Sequence, residues 1–323
     1  MTRPDQHRLR QHVERWSTEL ARQGRHWWPN FGYHFTNVDN AARILNDGAI
    51  FSRGRCLRDR RLATDSASAS VIANTPSSHQ EMVRLYFRPR TPTQYHNEGI
   101  REPSQRQFQE AHCAVPIFFC FDLVGLLSEP STQFSNGNMA RAGVLHGADL
   151  ALFDAIPFDL VYHDAPVSPS VKDRVVFHRH AEILVPDSLP LRPHLTAIAC
   201  RSEAERQTLV NMAGSASTAW RDKTYVVQDF FRHGVFLRSV HTEREKLVMR
   251  FHRNPRCVVM PASYRGLVEE TGSGRFWQWD GTIDDDEIPV CLANTPGHSK
   301  TRIWIHDALA YQDDLDFTDD IPF

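Results

Sequence analysis

YHFTNVDNAARILNDG, residues 33–48, reads as a short strand that runs through a turn into a short helix. Alternation along Tyr33-His34-Phe35-Thr36 puts His34 and Thr36 on one strand face, whereas Val38, Ala41, Ile44 and Leu45 recur at helical spacing and Gly48 supplies a stop. A neutral imidazole beside a hydroxyl can bind the ribose or amide groups of a ligand, and Asn40 follows in the helix. Taken alone, a histidine in such a place is more often a hydrogen-bonded core residue.

Working outward, residues 6–22 place Leu9, Val13, Trp16 and Leu20 at helical spacing with Gly24 beyond them, which predicts an amphipathic helix within an N-terminal helical segment, residues 1–30. Residues 62–80, rich in Ser, Ala and Thr, read as a loop, and a second loop is expected over residues 91–111. Between and after them EMVRLYF, AVPIFFCFDL and EILV have the apolar, β-rich character of strands at least partly buried in a sheet. LTAIACRS predicts a strand ending at Ser202, which with Glu205 forms an S-x-x-E capping box for the helix EAERQTLVNMAG, and YVVQDFF reads as a further strand. Past residue 235 the candidates KLVMRFH, RCVVMP, GRFWQWDG and TRIWIHD are short and separated by turn residues, the texture of a small β-rich module. The closing DDLDFTDDIPF reads as a solvated acidic tail.

Three further clusters carry chemistry. Arg53, Arg55, Arg58, Arg60 and Arg61 are too dense to be buried without anions and suit a pyrophosphate, although a solvated basic face accounts for them as simply. In Tyr86-Phe87-Arg88-Pro89-Arg90-Thr91-Pro92, with Tyr95 close behind, two prolines fix the chain as it leaves a strand and present Arg90 and an aromatic ring at a rim where bases or a nicotinamide can stack. Arg179-His180-Ala181-Glu182-Ile183-Leu184-Val185, taken as a strand, puts Ala181, Ile183 and Val185 on one face and leaves Glu182 among apolar neighbours on the other. A carboxylate there is costly unless it is used or paired, so Glu182 is either functional or a salt-bridged structural residue. His178 and His180 form H-x-H without a third ligand at a recognised spacing, and no metal is expected.

Composition sets the bounds. With 323 residues, 41% of them hydrophobic, the chain fills one large domain or two modest ones. No stretch has the apolar length of a membrane span, and the start MTRPDQHRLR lacks a signal peptide's apolar core, so a cytoplasmic protein without membrane association is expected. The six cysteines form no CxxC pair and read as reduced core thiols. Residues 1–110 carry 17 Lys plus Arg against 11 Asp plus Glu, a net of +6, which leaves −8 for the remainder. A basic first third suits a phosphate-bearing partner, and genomic base composition explains the arginines equally well. G-x-S-x-G, P-loop, G-x-G-x-x-G and H-E-x-x-H are all absent, which removes the entry points for ordinary hydrolases, NTPases, Rossmann enzymes and zincins.

Taken in order, YHFTNVDNAARILNDG, the DRR ending at Arg61, LYFRPRTPTQY, VPIFFCFDL followed by FSNGN, and RHAEILVPD resemble the DarT family of DNA ADP-ribosyltransferases, toxins of toxin–antitoxin pairs whose antitoxin is a macrodomain hydrolase. The resemblance covers about residues 31–234. It implies an α+β fold with an ADP-ribosyltransferase-type split β-sheet core and flanking helices, and it leaves residues 235–323 as a small β-rich C-terminal extension with an acidic tail. It implies NAD as co-substrate, bound in a cleft, and transfer of ADP-ribose to a base in single-stranded DNA. Matched by position, His34, Thr36 and Asn40 fall on the NAD-contacting first motif, Arg61 on the catalytic-site arginine, which also touches NAD, and Glu182 on the catalytic glutamate. The loop that helps read the substrate falls at about residues 163–179, and Arg90, Tyr95 and Arg179 are the expected nucleic-acid contacts. Thr93 and Gln94 depart from relatives just after the R-x-P motif.

The chemistry agrees with these assignments. Breaking the bond from nicotinamide to ribose builds positive charge on the sugar, which a carboxylate such as Glu182 stabilises. The same group can accept a proton from the attacking base. Single strands expose base edges without an unpairing cost, and Tyr95 can stack on them. Three other functions stand beside this one. The same reaction on RNA would give the extension a reader's role; a non-catalytic nucleic-acid-binding module would apply if Glu182 and Arg61 share no cleft; metal-dependent hydrolysis through His178 and His180 would need a third ligand.

Overall fold

Asp5 opens the first helix by accepting the Arg8 backbone N–H at 2.8 Å, and α1 (Gln6–Ala21) buries Leu9, His12 and Leu20 before Gly24, at φ +68°, turns the chain away. The computed structural model describes residues 2–61, 76–106, 112–231, 234–243, 246–253, 262–292, 294 and 297–317. As expected, β1 (Phe31–Asn37) passes directly into α2 (Val38–Asp47), which buries Val38, Ala41, Ala42 and Leu45, and Gly48 follows at φ +66°. Next come β2 (Ala49–Phe51), α3 (Arg53–Arg58), α4 (Ser77–Gln80), β3 (Met82–Tyr86) and α5 (Pro92–Asn97). The middle of the chain forms β4 (Pro116–Asp122), α6 (Leu123–Ser128), β5 (Gln133–Ser135), β6 (His146–Gly147), α7 (Leu150–Ala155), α8 (Phe158–Val161) and α9 (Pro169–His178). After these lie β7 (Glu182–Pro186), β8 (Ser188–Pro190), β9 (Leu195–Cys200), α10 (Glu203–Ala213) and β10 (Thr224–Val226). An eight-stranded sheet runs in the order β10-β9-β4-β1-β3-β7-β5-β6, and β2 pairs with β8. This is the expected α+β architecture, with a large central sheet, flanking helices and a β-rich C-terminal part.

Packing divides the chain into two compact units. The first comprises Met1–Phe35, Asp47–His96 and Phe118–Ile198. Its core gathers Val83, Leu85 and Phe87 around β3, Phe118, Phe119 and Phe121 from β4, and Ile183 and Leu184 from β7, all buried. The β1–β3 pair is antiparallel with Tyr33 opposite Tyr86, and β3 continues onto β7 with Arg84 opposite Leu184 and Tyr86 opposite Glu182.

The second unit comprises Thr36–Asn46, Asn97–Ile117 and Ala199–Phe323. Its later part holds β11 (Phe236–Glu243), β12 (Lys246–His252) and β15 (Glu287–Cys291) in one sheet, and β14 (Phe276–Thr282), β13 (Ser263–Glu270), β16 (His298–Ile305) and β17 (Ala308–Asp316) in another. Period-2 alternation is visible on β13 and β16, where Tyr264, Val268, Ile303 and Ile305 join Leu247, Met249 and Phe251 in one core. Inside this unit Arg201 donates from Nε to Glu205 at 3.0 Å, with both side chains buried.

Several expectations change. Ser202 caps α10 by accepting the Glu205 N–H at 3.2 Å, but the Glu205 carboxylate does not close a capping box: it turns to Arg201, whose backbone N–H it also accepts at 3.2 Å. The first four residues of the supposed acidic tail, Asp313 to Asp316, belong to the edge strand β17, held because Gln312 N–H donates to Thr208 at 3.1 Å and Asn211 to Asp314 at 2.9 Å. YVVQDFF supplies only the short β10 before a 3₁₀ turn, Gln228–Phe230. The second loop contains α5, and the segment before Glu182 contains α9, so that Arg179 to Ala181 form a turn rather than strand. Most of the Ser/Ala loop (62–75), the strand candidate RCVVMP (256–261) and the last residues (318–323) lie outside the described residues.

Candidate active site

Glu182 opens β7 fully buried, and strand pairing sets Arg84 on the same face of the adjoining β3. The guanidinium forks over the carboxylate: Arg84 Nη2 donates to Oε1 at 2.5 Å and Nε donates to Oε2. A third donor, the Met139 backbone N–H, reaches Oε1 at 3.3 Å. The Glu182 backbone N–H is held by Ser135 Oγ at 3.0 Å, and that hydroxyl donates to the Gly137 carbonyl at 2.7 Å. FSNGN, residues 134–138, therefore anchors the Glu182 backbone, and Met139 just after it reaches the carboxylate. Glycine at 137 leaves room for the Phe177 ring, which a Cβ there would meet at 2.3 Å and displace. Burial opposes the Arg84 charge, but Glu182 outweighs it and holds this guanidinium above the usual arginine range.

Around the pair the titratable groups are kept neutral. His34 donates from Nδ1 to the Arg84 carbonyl at 3.1 Å, and burial holds its pKa down, which leaves Nε2 as an acceptor. His180 is also lowered by burial; its Nδ1 donates to Val176 O at 2.9 Å and its Nε2 meets Thr93 Oγ1 at 3.0 Å. Burial first, and then the Glu182 charge, push Tyr86 up to about 12. The site thus offers one buried carboxylate, a guanidinium fork and a neutral imidazole, a set suited to ribose hydroxyls and to a cationic sugar.

Other residues singled out in the sequence fall elsewhere. Three members of the Arg53–Arg61 cluster meet carboxylates of the chain itself: Arg55 pairs with Asp187 at 2.6 Å, Arg58 with Glu81 at 2.5 Å, and Arg61 with Asp47 at 2.6 Å. Arg61 also lies over the Phe51 ring at 5.2 Å, and the guanidinium on Glu182 is that of Arg84. Thr36, buried at the end of β1, and Asn40, whose N–H donates to Asp39 at 2.9 Å, belong to the second unit. Arg90 and Arg179 come together beside residues 163–165. Arg90 lies 3.6 Å from Asp164, while Arg179 donates to His163 Nδ1 and to Ala165 O, each at 2.7 Å. Tyr95 stands exposed next to His96. His178 donates to Asn136 O at 2.6 Å, and among the described residues no group of three or more His, Cys, Asp or Glu is placed to hold a metal ion.

Residues 33–232 match the family described as ssDNA thymidine ADP-ribosyltransferase, DarT. The chain belongs to the DarT family. As a member it is an NAD-dependent ADP-ribosyltransferase. Among solved structures, Thermus sp. 2.9 DarT in complex with ADP-ribosylated ssDNA is similar with a TM-score of 0.50 and 14% identity, over 63% of this chain and 97% of that chain. Thermus sp. 2.9 DarT in complex with NAD+ is similar with a TM-score of 0.48 and 14% identity, over 63% of this chain and 98% of that chain. Likeness at this identity speaks to the fold. No curated protein matches the chain. The DarT match leaves α1 and the strands from β11 onward outside it.

Sequence reasoning about DarT motifs missed Arg84, Ser135, Met139 and Asp164. Arg84 left a signal: it is the one charged residue inside EMVRLYF after its opening Glu81, two positions before Tyr86, and a buried strand carrying a lone cation invites a carboxylate on its neighbour. Met139 acts through its backbone, which no side-chain pattern reveals.

Proposed function

We propose that this chain transfers ADP-ribose from NAD to a base of single-stranded DNA, thymidine by the family's description, and that it works in the cytoplasm as the toxin of a toxin–antitoxin or anti-phage system answered by a macrodomain antitoxin. One observation carries the enzymatic part: a carboxylate, Glu182, buried under a bidentate Arg84 whose backbone carbonyl accepts a hydrogen bond from a neutral His34. Burying that pair is expensive unless the charge is used. Glu182 stabilises positive charge as it develops on the ribose, and His34 Nε2 is available to a ribose hydroxyl or an amide. By motif order His34, Thr36, Asn40 and Arg61 hold NAD, Glu182 and Arg61 take the catalytic roles, and Arg90, Tyr95 and Arg179 contact the strand. The reaction calls for no metal. Residues 31–234 are the catalytic domain in this scheme, preceded by the helical segment 1–30 and followed by the extension 235–323. DNA is favoured over RNA on the family description, and the toxin role rests on the resemblance.

The test is incubation with labelled NAD and single-stranded DNA or RNA oligonucleotides, with and without thymidine, beside Glu182→Ala. Label on thymidine-containing DNA that vanishes in Glu182→Ala is expected. Label confined to RNA would move the function to RNA, and label on neither would overturn it.

A further inference from the structure

Arg25, Arg88, Arg90 and Arg179 meet around a single carboxylate. Asp164 lies 2.8 Å from Arg25, 2.5 Å from Arg88 and 3.6 Å from Arg90. Arg179 joins them through His163 Nδ1 and Ala165 O rather than through an acid of its own. Arg88 is the buried base of the cluster: it is fully enclosed, lies 4.7 Å over the Trp28 ring, and donates to the carbonyls of Pro89, Val161 and His163 as well as to Asp164. Arg25 covers Trp28 at 5.1 Å. Four guanidinium groups thus face one carboxylate, with Asp159 the other acid acting on His163.

Such an excess of fixed positive charge is unfavourable without a further anion. Two observations mark the cluster as incompletely satisfied and held in place. The Nε atoms of Arg90 and Arg179 are buried without hydrogen-bond partners. Arg90 is held at φ +57°, a backbone conformation that L side chains rarely adopt, and its N–H is tied to Gln94 Oε1 at 2.7 Å. Burial, with Arg179 and Arg25 adding like charge, lowers Arg88 to about 9, as expected where cations crowd.

We propose that Arg25, Arg90 and Arg179, seated on the Arg88–Asp164 pair, form a phosphate-binding site. This rests on the proposed transfer to a nucleic-acid strand, and it adds Arg25, which precedes the family match, to the substrate-contacting residues. Fork geometry suits a phosphate oxygen pair and carries no base preference. Two phosphates fit the chemistry, one in the strand backbone and the other in the NAD diphosphate, and the strand is favoured because the cluster sits beside the R-x-P segment and the residues before Glu182.

The experiment titrates the full chain and its Arg25→Gln, Arg90→Gln and Arg179→Gln variants with a labelled single-stranded oligonucleotide, an abasic strand of equal length, and NAD, over a range of salt. Each variant is expected to reduce the slope of log affinity against log salt by about 0.7 on both strands, with NAD affinity and melting temperature unchanged. A tenfold loss of NAD affinity with unchanged slopes would still support a phosphate site and make the NAD diphosphate its ligand. Slopes and NAD affinity that all match wild type would overturn it. Wild-type transfer with unchanged slopes would sink this site alone; Arg-dependent slopes in a protein that transfers no label would sink the transfer function alone.

Discussion

Arg84 Nη2 lies 2.5 Å from Glu182 Oε1, with Glu182 fully buried, so each charge is tolerable only while the other is present. Arg84→Met leaves that carboxylate without its cation and is expected to cost about 3–5 kcal/mol of stability, read as a drop in the urea midpoint. The double variant Arg84→Met/Glu182→Leu removes both charges and should recover most of the loss, although neither protein transfers ADP-ribose. An unchanged midpoint for the single variant would mean that the pair is more hydrated than its burial indicates.

Ser135 fixes where the carboxylate starts, by accepting the Glu182 backbone N–H at 3.0 Å. Ser135→Ala leaves that donor unpaired in the core, at about 1–3 kcal/mol. The reacting geometry loosens as well, and a small misplacement of Glu182 lowers turnover by about ten- to a hundredfold with little change in KM for NAD. Steady-state rates well below the melting temperature separate the two effects; a rate equal to wild type would show that Ser135 does not position Glu182.

How far the sequence reaches is clearest at this pair. Glu182 stood out because one acid in an apolar run is locally odd, and the strand-to-helix entry over residues 31–47 followed from period alone. Its partner did not stand out, because Arg84 is 98 residues away and the β3–β7 register that joins them is a tertiary fact. The same limit hid the carboxylates that pair with Arg55 and Arg58, Asp187 and Glu81. At the C-terminus a different effect operated: acidic composition masked a strand whose inward residues Ala310 and Tyr311 are buried and whose Asp314 accepts from Asn211 on α10. Ser202 was legible because its cap is local, while Glu205 was drawn away by a buried arginine.

His12 makes acid stability testable. It is buried on α1 against Phe158, with its Nε2 3.2 Å from Tyr162 OH, and burial, helped by Arg8 and Arg15, lowers it from 6.5 to about 3. Its folded pKa lies below the unfolded one, so the unfolded chain binds the proton first. This histidine therefore has no effect above about pH 6.5, and stability falls as pH drops below that value, levelling off near 3, by up to about 1.4 kcal/mol per pH unit. His12→Phe should flatten that part of the curve when unfolding free energy is measured at pH 7.5 and 5. An acid limb equally steep in the variant would assign the loss to other groups, His34 and His180 first.

Gly266 provides a test of the extension that leaves the site untouched. It lies on β13 directly opposite Trp279 on β14, and a Cβ built on it would meet the indole at 2.0 Å, so the ring lies flat over the glycine backbone. Gly266→Ala must push Trp279 off the sheet, an overpacking cost of about 1–3 kcal/mol borne by the strands from β11 onward. Trp279→Ala in the same chain removes the obstacle, so Gly266→Ala should cost less in that background than alone. Thermal unfolding of the four proteins gives the coupling directly. If Gly266→Ala is neutral in both backgrounds, the indole is not seated where the β13–β14 register puts it.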